Sequence, residues 1–163
     1  MEKHYNALFL CTGNSARSIM AEAILNHKGN GQFTAYSAGS HPIGQPRPEA
    51  LSQLQSAGIS TLGLRSKSWD EFSGLGAPHL DFVFTVCDNA AREQCPYWPG
   101  QPMTAHWGIP DPAAVKGTPE EIARAFREAF VVLDRRIGLL LSLPLATLER
   151  VAIQKRVQAI GRS

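Results

Sequence analysis

Short apolar runs alternate along the chain with longer stretches whose apolar residues recur every three to four positions. The runs Ala7 to Leu10, Phe33 to Ser37 and Asp81 to Val86 are too short for helices, and they read as strands buried in a parallel sheet. Met103 to His106 is a weaker fourth strand. A helix is predicted from about Ser18 to His27, ending at Gly29-Asn30-Gly31, and a second from Pro48 to Gly58 with Ala50, Leu51, Leu54 and Ala57 on one face. The strongest helix signal is Thr118-Pro119-Glu120-Glu121, a capping box with proline at the first helical position. Ile122, Phe126, Phe130, Leu133, Ile137 and Leu140 continue it as an apolar stripe. A last helix is expected over roughly Leu145 to Ile160, with a basic face that reads as solvated surface. This alternation predicts a doubly wound α/β domain around a parallel sheet, one domain over residues 1–163 with 145–163 as an extra C-terminal helix. Ligands bind such sheets beyond the carboxyl ends of the strands. Cys11, Cys87 and Asp111 each follow a strand there and should gather at one edge.

Composition narrows the function classes. The chain has 163 residues, 44% hydrophobic and 18% charged, and a formal net charge of +2, with no basic stripe to bind nucleic acid. The polar start, Met1 to Asn6, has no signal peptide character. The longest apolar stretch, Ile137 to Leu145, is broken by Gly138, Ser142 and Pro144 and is too short to cross a membrane. Three cysteines without an export signal read as cytoplasmic thiols and not as a disulfide framework.

The chemistry concentrates in Cys11-Thr12-Gly13-Asn14-Ser15-Ala16-Arg17-Ser18, at a predicted strand-to-helix turn. Backbone amides of such a loop and of the helix N-terminus converge on a tetrahedral anion. Thr12 to Ser18 would form this cradle, with Arg17 adding a two-pronged, charge-assisted contact. The positive field should lower the pKa of Cys11 and leave a thiolate at neutral pH. Gly13 and Asn14 are the residues best suited to left-handed backbone, and Ser18 is expected to donate to the thiolate. The loop lacks the Gly-Lys-Ser/Thr ending of an ATP-type phosphate loop, and no resident cofactor is expected.

Cysteine attack on an oxyanion needs an acid to protonate the departing oxygen. Asp111, between Pro110 and Pro112, is the candidate; alone, an Asp-Pro pair equally starts a turn. Cys87 and Cys95 bracket a polar segment. They read either as a redox relay, in which Cys87 attacks a Cys11 adduct and Cys95 resolves the disulfide, or as one buried and one exposed bystander. A zinc site with His106 lacks the short ligand spacing such sites use. A helix over residues 87–95 would separate the two Cα atoms by about 12 Å, and a disulfide tolerates at most about 7 Å. The segment is therefore expected to be irregular, or to unwind on oxidation.

With Tyr36-Ser-Ala-Gly39, Val86-Cys-Asp-Asn89, Cys95-Pro96 and His106-Trp-Gly-Ile-Pro-Asp-Pro112, the Cys11 loop resembles arsenate reductases of the low-molecular-weight tyrosine phosphatase superfamily over roughly residues 5 to 140. The resemblance implies a three-layer α/β/α fold with a four-stranded parallel sheet. It implies that Cys11 attacks arsenate, that Arg17 and the loop amides bind it, and that Asp111 assists loss of water. Cys87 would then expel arsenite and Cys95 carry the oxidation to the surface. A thioredoxin or glutaredoxin-type reductant would regenerate the thiols, with phosphate or sulfate as competing anions. The alternative is a tyrosine phosphatase hydrolysing aryl phosphates through a Cys11 thiophosphate, but Ala113-Ala114 stands where such enzymes usually carry a tyrosine pair. Ala16 stands where many relatives carry a second loop cysteine. Lys67 stands where some carry an acidic cation ligand, which argues against a potassium site near Asn14, Glu22 and Ser37 and offers the lysine charge instead.

Overall fold

The computed structural model describes residues 3–87, 98 and 101–163. Its centre is a four-stranded parallel sheet of order β2-β1-β3-β4, with β1 Tyr5–Leu10, β2 Phe33–Ala38, β3 Phe82–Thr85 and β4 Met103–His106. The register runs Leu10↔Ala38, Leu10↔Thr85 and Thr85↔His106, so the carboxyl ends of all four strands finish level. The first strand starts two residues earlier than its apolar run, because Tyr5 and Asn6 are only half-buried yet pair with Phe33 and Thr34.

Three helices, α1 Arg17–Lys28, α2 Pro48–Ser56 and α3 Pro119–Leu141, pack on one another on one side of the sheet. Alternation along β2 shows the two faces: Ser37 reaches Glu22 of α1, whereas Tyr36 turns the other way onto Phe72, ring centres 5.4 Å apart. The architecture is the expected three-layer α/β/α type. The capping box forms as read, with Thr118 Oγ1 accepting from Glu121 N and Glu121 Oε1 from Thr118 N. Phe126, Leu133, Ile137 and Leu140 bury the stripe.

The last helix is shorter than its pattern. Residues 145–149 turn back on Pro144, whose carbonyl accepts from Thr147 and Leu148, and α4 runs over Arg150–Ile160. Its Ile153, Val157 and Ile160 are buried, its Lys155 and Arg156 exposed, and it packs beside β4. Gln154 Nε2 donates to Thr104 O and Arg150 Nη2 to Gln101 O along that strand's outer side. Phe9, Phe84 and Trp107 stack beneath the carboxyl edge, the last two with ring centres 4.0 Å apart.

Gly39, just past β2, is the tightest point behind the Cys11 loop. A Cβ there would lie 2.4 Å from Thr12 O and 2.7 Å from Cys11 O, closer than any Cβ contact survives. The Gly39→Ala protein should lose about 2 kcal/mol of stability from the forced shift, a fall in Tm of about 4–8 °C. Its affinity for phosphate should fall with it, and an unchanged Tm with unchanged phosphate binding would show that the loop does not depend on this approach.

Candidate active site

The Cys11 loop leaves β1 at its carboxyl end and turns directly into α1. Its amides can face inward only if its carbonyls face outward and find donors. They do. Thr12 O accepts from His41 N, Gly13 O from Ile43 N and Ser66 Oγ, Ser15 O from Arg47 N and Ala16 O from Met20 N, at 2.8–3.2 Å. Of the two residues expected in left-handed backbone, Asn14 takes it (φ 46°) and Gly13 does not. Asn14 is fully buried; its Oδ1 accepts from Lys67 N and its Nδ2 donates to Ser18 Oγ. Ser18 Oγ accepts that bond and so keeps its own hydroxyl proton to donate, although no bond from it to the Cys11 sulfur is formed among the described residues.

Ala16 is the N-cap of α1 and offers no capping oxygen, nor is there an acid in the first turn. The amides of that turn remain available to an external anion, which is what Ser, Thr or Asp at this position would spend on itself.

Above Cys11 opens a crevice of about 320 Å³, lined by the loop, by Asp111 and Ala113, and by His41, Ile43 and Arg47. Arg17 Nη1 donates to Ile109 O at 3.0 Å, and its Nη2 lies 3.6 Å from Asp111 Oδ2. Asp111 also accepts from Ala113 N through Oδ1, so it starts a turn and faces the crevice at once. The sequence reading did not find Arg47. It caps α2, its Nη2 reaches Glu49 at 3.3 Å, and its Nε, like that of Arg17, is buried without a hydrogen-bond partner among the described residues. A Pro-Arg-Pro triplet before a helix was its only local signal; the backbone bond from Arg47 N to Ser15 O, which brings it to the crevice, has none.

Cys87 follows β3 and is buried beside the loop. Its sulfur lies 3.7 Å from Thr12 Oγ1 and hydrogen-bonds the Cys11 thiol. This contact corrects the expectation for Cys11. Its pKa is raised, first by the hydrogen bond with Cys87 and then by burial, against the opposing pull of Arg17 and the Gly13 amide. The guanidinium of Arg17 is already engaged by Ile109 and Asp111, which blunts its attraction. Cys95 and the geometry expected of residues 87–95 lie outside the described residues.

Behind the loop, Lys67 is 8% exposed, with its Nζ 2.9 Å from Arg65 O, 3.5 Å from Ser37 Oγ and 3.6 Å from Glu22 Oε1. Burial lowers the Lys67 pKa and raises that of Glu22, while the attraction between the two opposes both shifts. The lysine ammonium therefore stands among the groups where the resemblance allowed a cation.

The thiol pairing is open to direct test. Removing Cys87 removes the largest cause that raises Cys11, so the Cys11 pKa should fall. Iodoacetamide labelling of Cys11 at pH 7, followed by peptide mass, should be about tenfold or more faster in Cys87→Ala/Cys95→Ala than in Cys95→Ala, the effect of about one pKa unit. An unchanged labelling rate would mean that Cys87 does not control the Cys11 proton.

Comparison with known proteins agrees with this geometry. Residues 6–157 match the low molecular weight phosphotyrosine protein phosphatase family. An arsenate reductase of Shouchella clausii is 36% identical over 129 residues, covering 79% of this chain and 89% of the relative. A solved arsenate reductase in a phosphate-binding state shares the fold with TM-score 0.69 and 24% identity, over 85% of this chain and 97% of that one. A low molecular weight protein tyrosine phosphatase from T. tengcongensis does so with TM-score 0.68 and 25% identity, over 84% and 97%. The chain belongs to the low molecular weight phosphotyrosine protein phosphatase family, and its relatives there include arsenate reductases.

Proposed function

We propose that this protein reduces arsenate to arsenite by a cysteine relay. The observation that carries the reading is the buried contact between the Cys87 and Cys11 sulfurs. A hydrolase needs room for water at the nucleophile, whereas a reductase needs a second thiol there, already within reach.

Arsenate binds on the loop amides and Arg17, and the sulfur of Cys11 attacks arsenic. An S–As bond forms as an As–O bond breaks. The thiol proton passes to an arsenate oxygen, and Asp111 protonates the departing oxygen so that it leaves as water. The Cys87 thiolate then attacks the Cys11 sulfur. The S–S bond forms, the S–As electron pair stays on arsenic, and As(V) becomes As(III) as two thiols are oxidised. Cys95 exchanges into this disulfide, freeing Cys11 and leaving Cys87–Cys95 for a thioredoxin or glutaredoxin-type dithiol to reduce. Phosphate shares arsenate's shape and charge, so it binds the same cradle as a competitor, but it does not accept the two electrons.

Arg47 adds a second guanidinium to the crevice and serves anion binding rather than the relay. Arg47→Gln should raise KM for arsenate and Ki for phosphate about tenfold each, the loss of one charge-assisted hydrogen bond, with little change in kcat. A fall in kcat at constant KM would reject that role.

The relay is tested by arsenite release with thioredoxin, thioredoxin reductase and NADPH. Wild type should turn over, and Cys87→Ser and Cys95→Ser should each lose at least about a hundredfold of it. Absence of turnover together with aryl phosphate hydrolysis that survives both substitutions would make the protein a phosphatase and the two cysteines bystanders.

A further inference from the structure

We propose that Arg136, together with the C-terminal helix, is the positioning device for Asp111, an inference that rests on the acid role given to Asp111 above. Arg136 lies within the buried stripe of α3, between Leu133 and Leu140, and is 6% exposed. A guanidinium there is costly to bury, and no Asp or Glu side chain pairs with it among the described residues; burial and Arg135 lower its pKa. What it meets is backbone. Nη1 donates to Trp107 O at 2.9 Å and Gly108 O at 3.2 Å, and Nη2 to Ser163 O at 3.3 Å. Its planar fork thus ties α3 and the end of the C-terminal segment to the start of the loop that carries Asp111.

The same stretch is fixed from other directions. Trp107 is fully buried, stacks on Phe84 and donates from Nε1 to Val157 O of α4 at 2.9 Å. Gly161 presses so closely on His106 that a Cβ there would lie 2.1 Å from the His106 carbonyl oxygen. One residue beyond these two contacts, Ile109 O receives Arg17; three beyond them, Asp111 faces the crevice. The loop amides do not rest on this clamp, because their carbonyls are held by residues 41–47 and 66; of the cradle, Arg17 alone meets the clamped stretch, through Ile109 O. The Asp111 loop does rest on it: Asp111's own side-chain contacts are the adjacent Ala113 amide and Arg17. Misplacing a catalytic group by about 1 Å can lose about a hundredfold in rate.

The test is the single-turnover rate of arsenite formation by the fully reduced protein, which needs no external reductant. It is measured for Arg136→Met and Arg136→Lys, each alone and combined with Asp111→Asn, alongside phosphate affinity. Both Arg136 variants should slow the chemical step, Arg136→Met at least tenfold and Arg136→Lys less, with phosphate affinity within threefold of wild type. In the Asp111→Asn background neither should slow it further, since the acid they position is gone. An unchanged rate in the variants, or losses that multiply with that of Asp111→Asn, would overturn the inference. An Asp111→Asn protein as fast as wild type would overturn the acid assignment itself, and the inference with it. Should Arg136→Met fail to fold, Arg136→Lys decides by the same comparison.

Discussion

An anion cradle made of amides is unstable by itself, because each inward N–H leaves a carbonyl turned outward that must also be satisfied. In this protein the outward carbonyls of Thr12, Gly13 and Ser15 are met in turn by the amides of His41, Ile43 and Arg47. One extended segment therefore fixes the loop and lays its own side chains around the mouth of the crevice. Gly39, without a Cβ, lets that segment come close enough to do so. The binding site and its rim are one hydrogen-bonded object, and its shape follows from backbone pairing more than from any side chain that touches substrate.

That explains which parts were legible in the sequence. The Cys11 loop, the four strands and the capped start of α3 are local patterns, and each stands within a residue or two of its expected place. The gathering of Cys11, Cys87 and Asp111 follows from parallel topology, since all three lie just past strand ends. Arg47 was out of reach as a site residue for the opposite reason, and Lys67 came into view only through the family resemblance. They arrive through bonds from Arg47 N to Ser15 O and from Lys67 N to Asn14 Oδ1, pairings that span tens of residues and leave no periodicity. Arg136 is a charged residue beside the apolar stripe of Leu133, Ile137 and Leu140 and carries no local signal of a role. Only the carbonyls it meets make it intelligible.

The acidity of Cys11 was misread for an electrostatic reason. Loop dipoles and a guanidinium do favour a thiolate, and the Gly13 amide and Arg17 act in that sense. A second thiol within hydrogen-bond range competes for the same proton, and burial adds to it. A relay requires that second thiol nearby, so the demand for a ready electron donor opposes the demand for an ionised nucleophile. In the proposed relay these two demands meet at one sulfur, that of Cys11.

The C-terminal helix also settles a matter unrelated to catalysis. An open parallel sheet ends in strands with unpaired backbone groups, which invite strands from other molecules. Along β4, Gln154 and Arg150 of α4 occupy the carbonyls of Thr104 and Gln101. The helix thus covers that side of β4, and a chain lacking it would expose there a hydrogen-bonding template for a strand of another molecule.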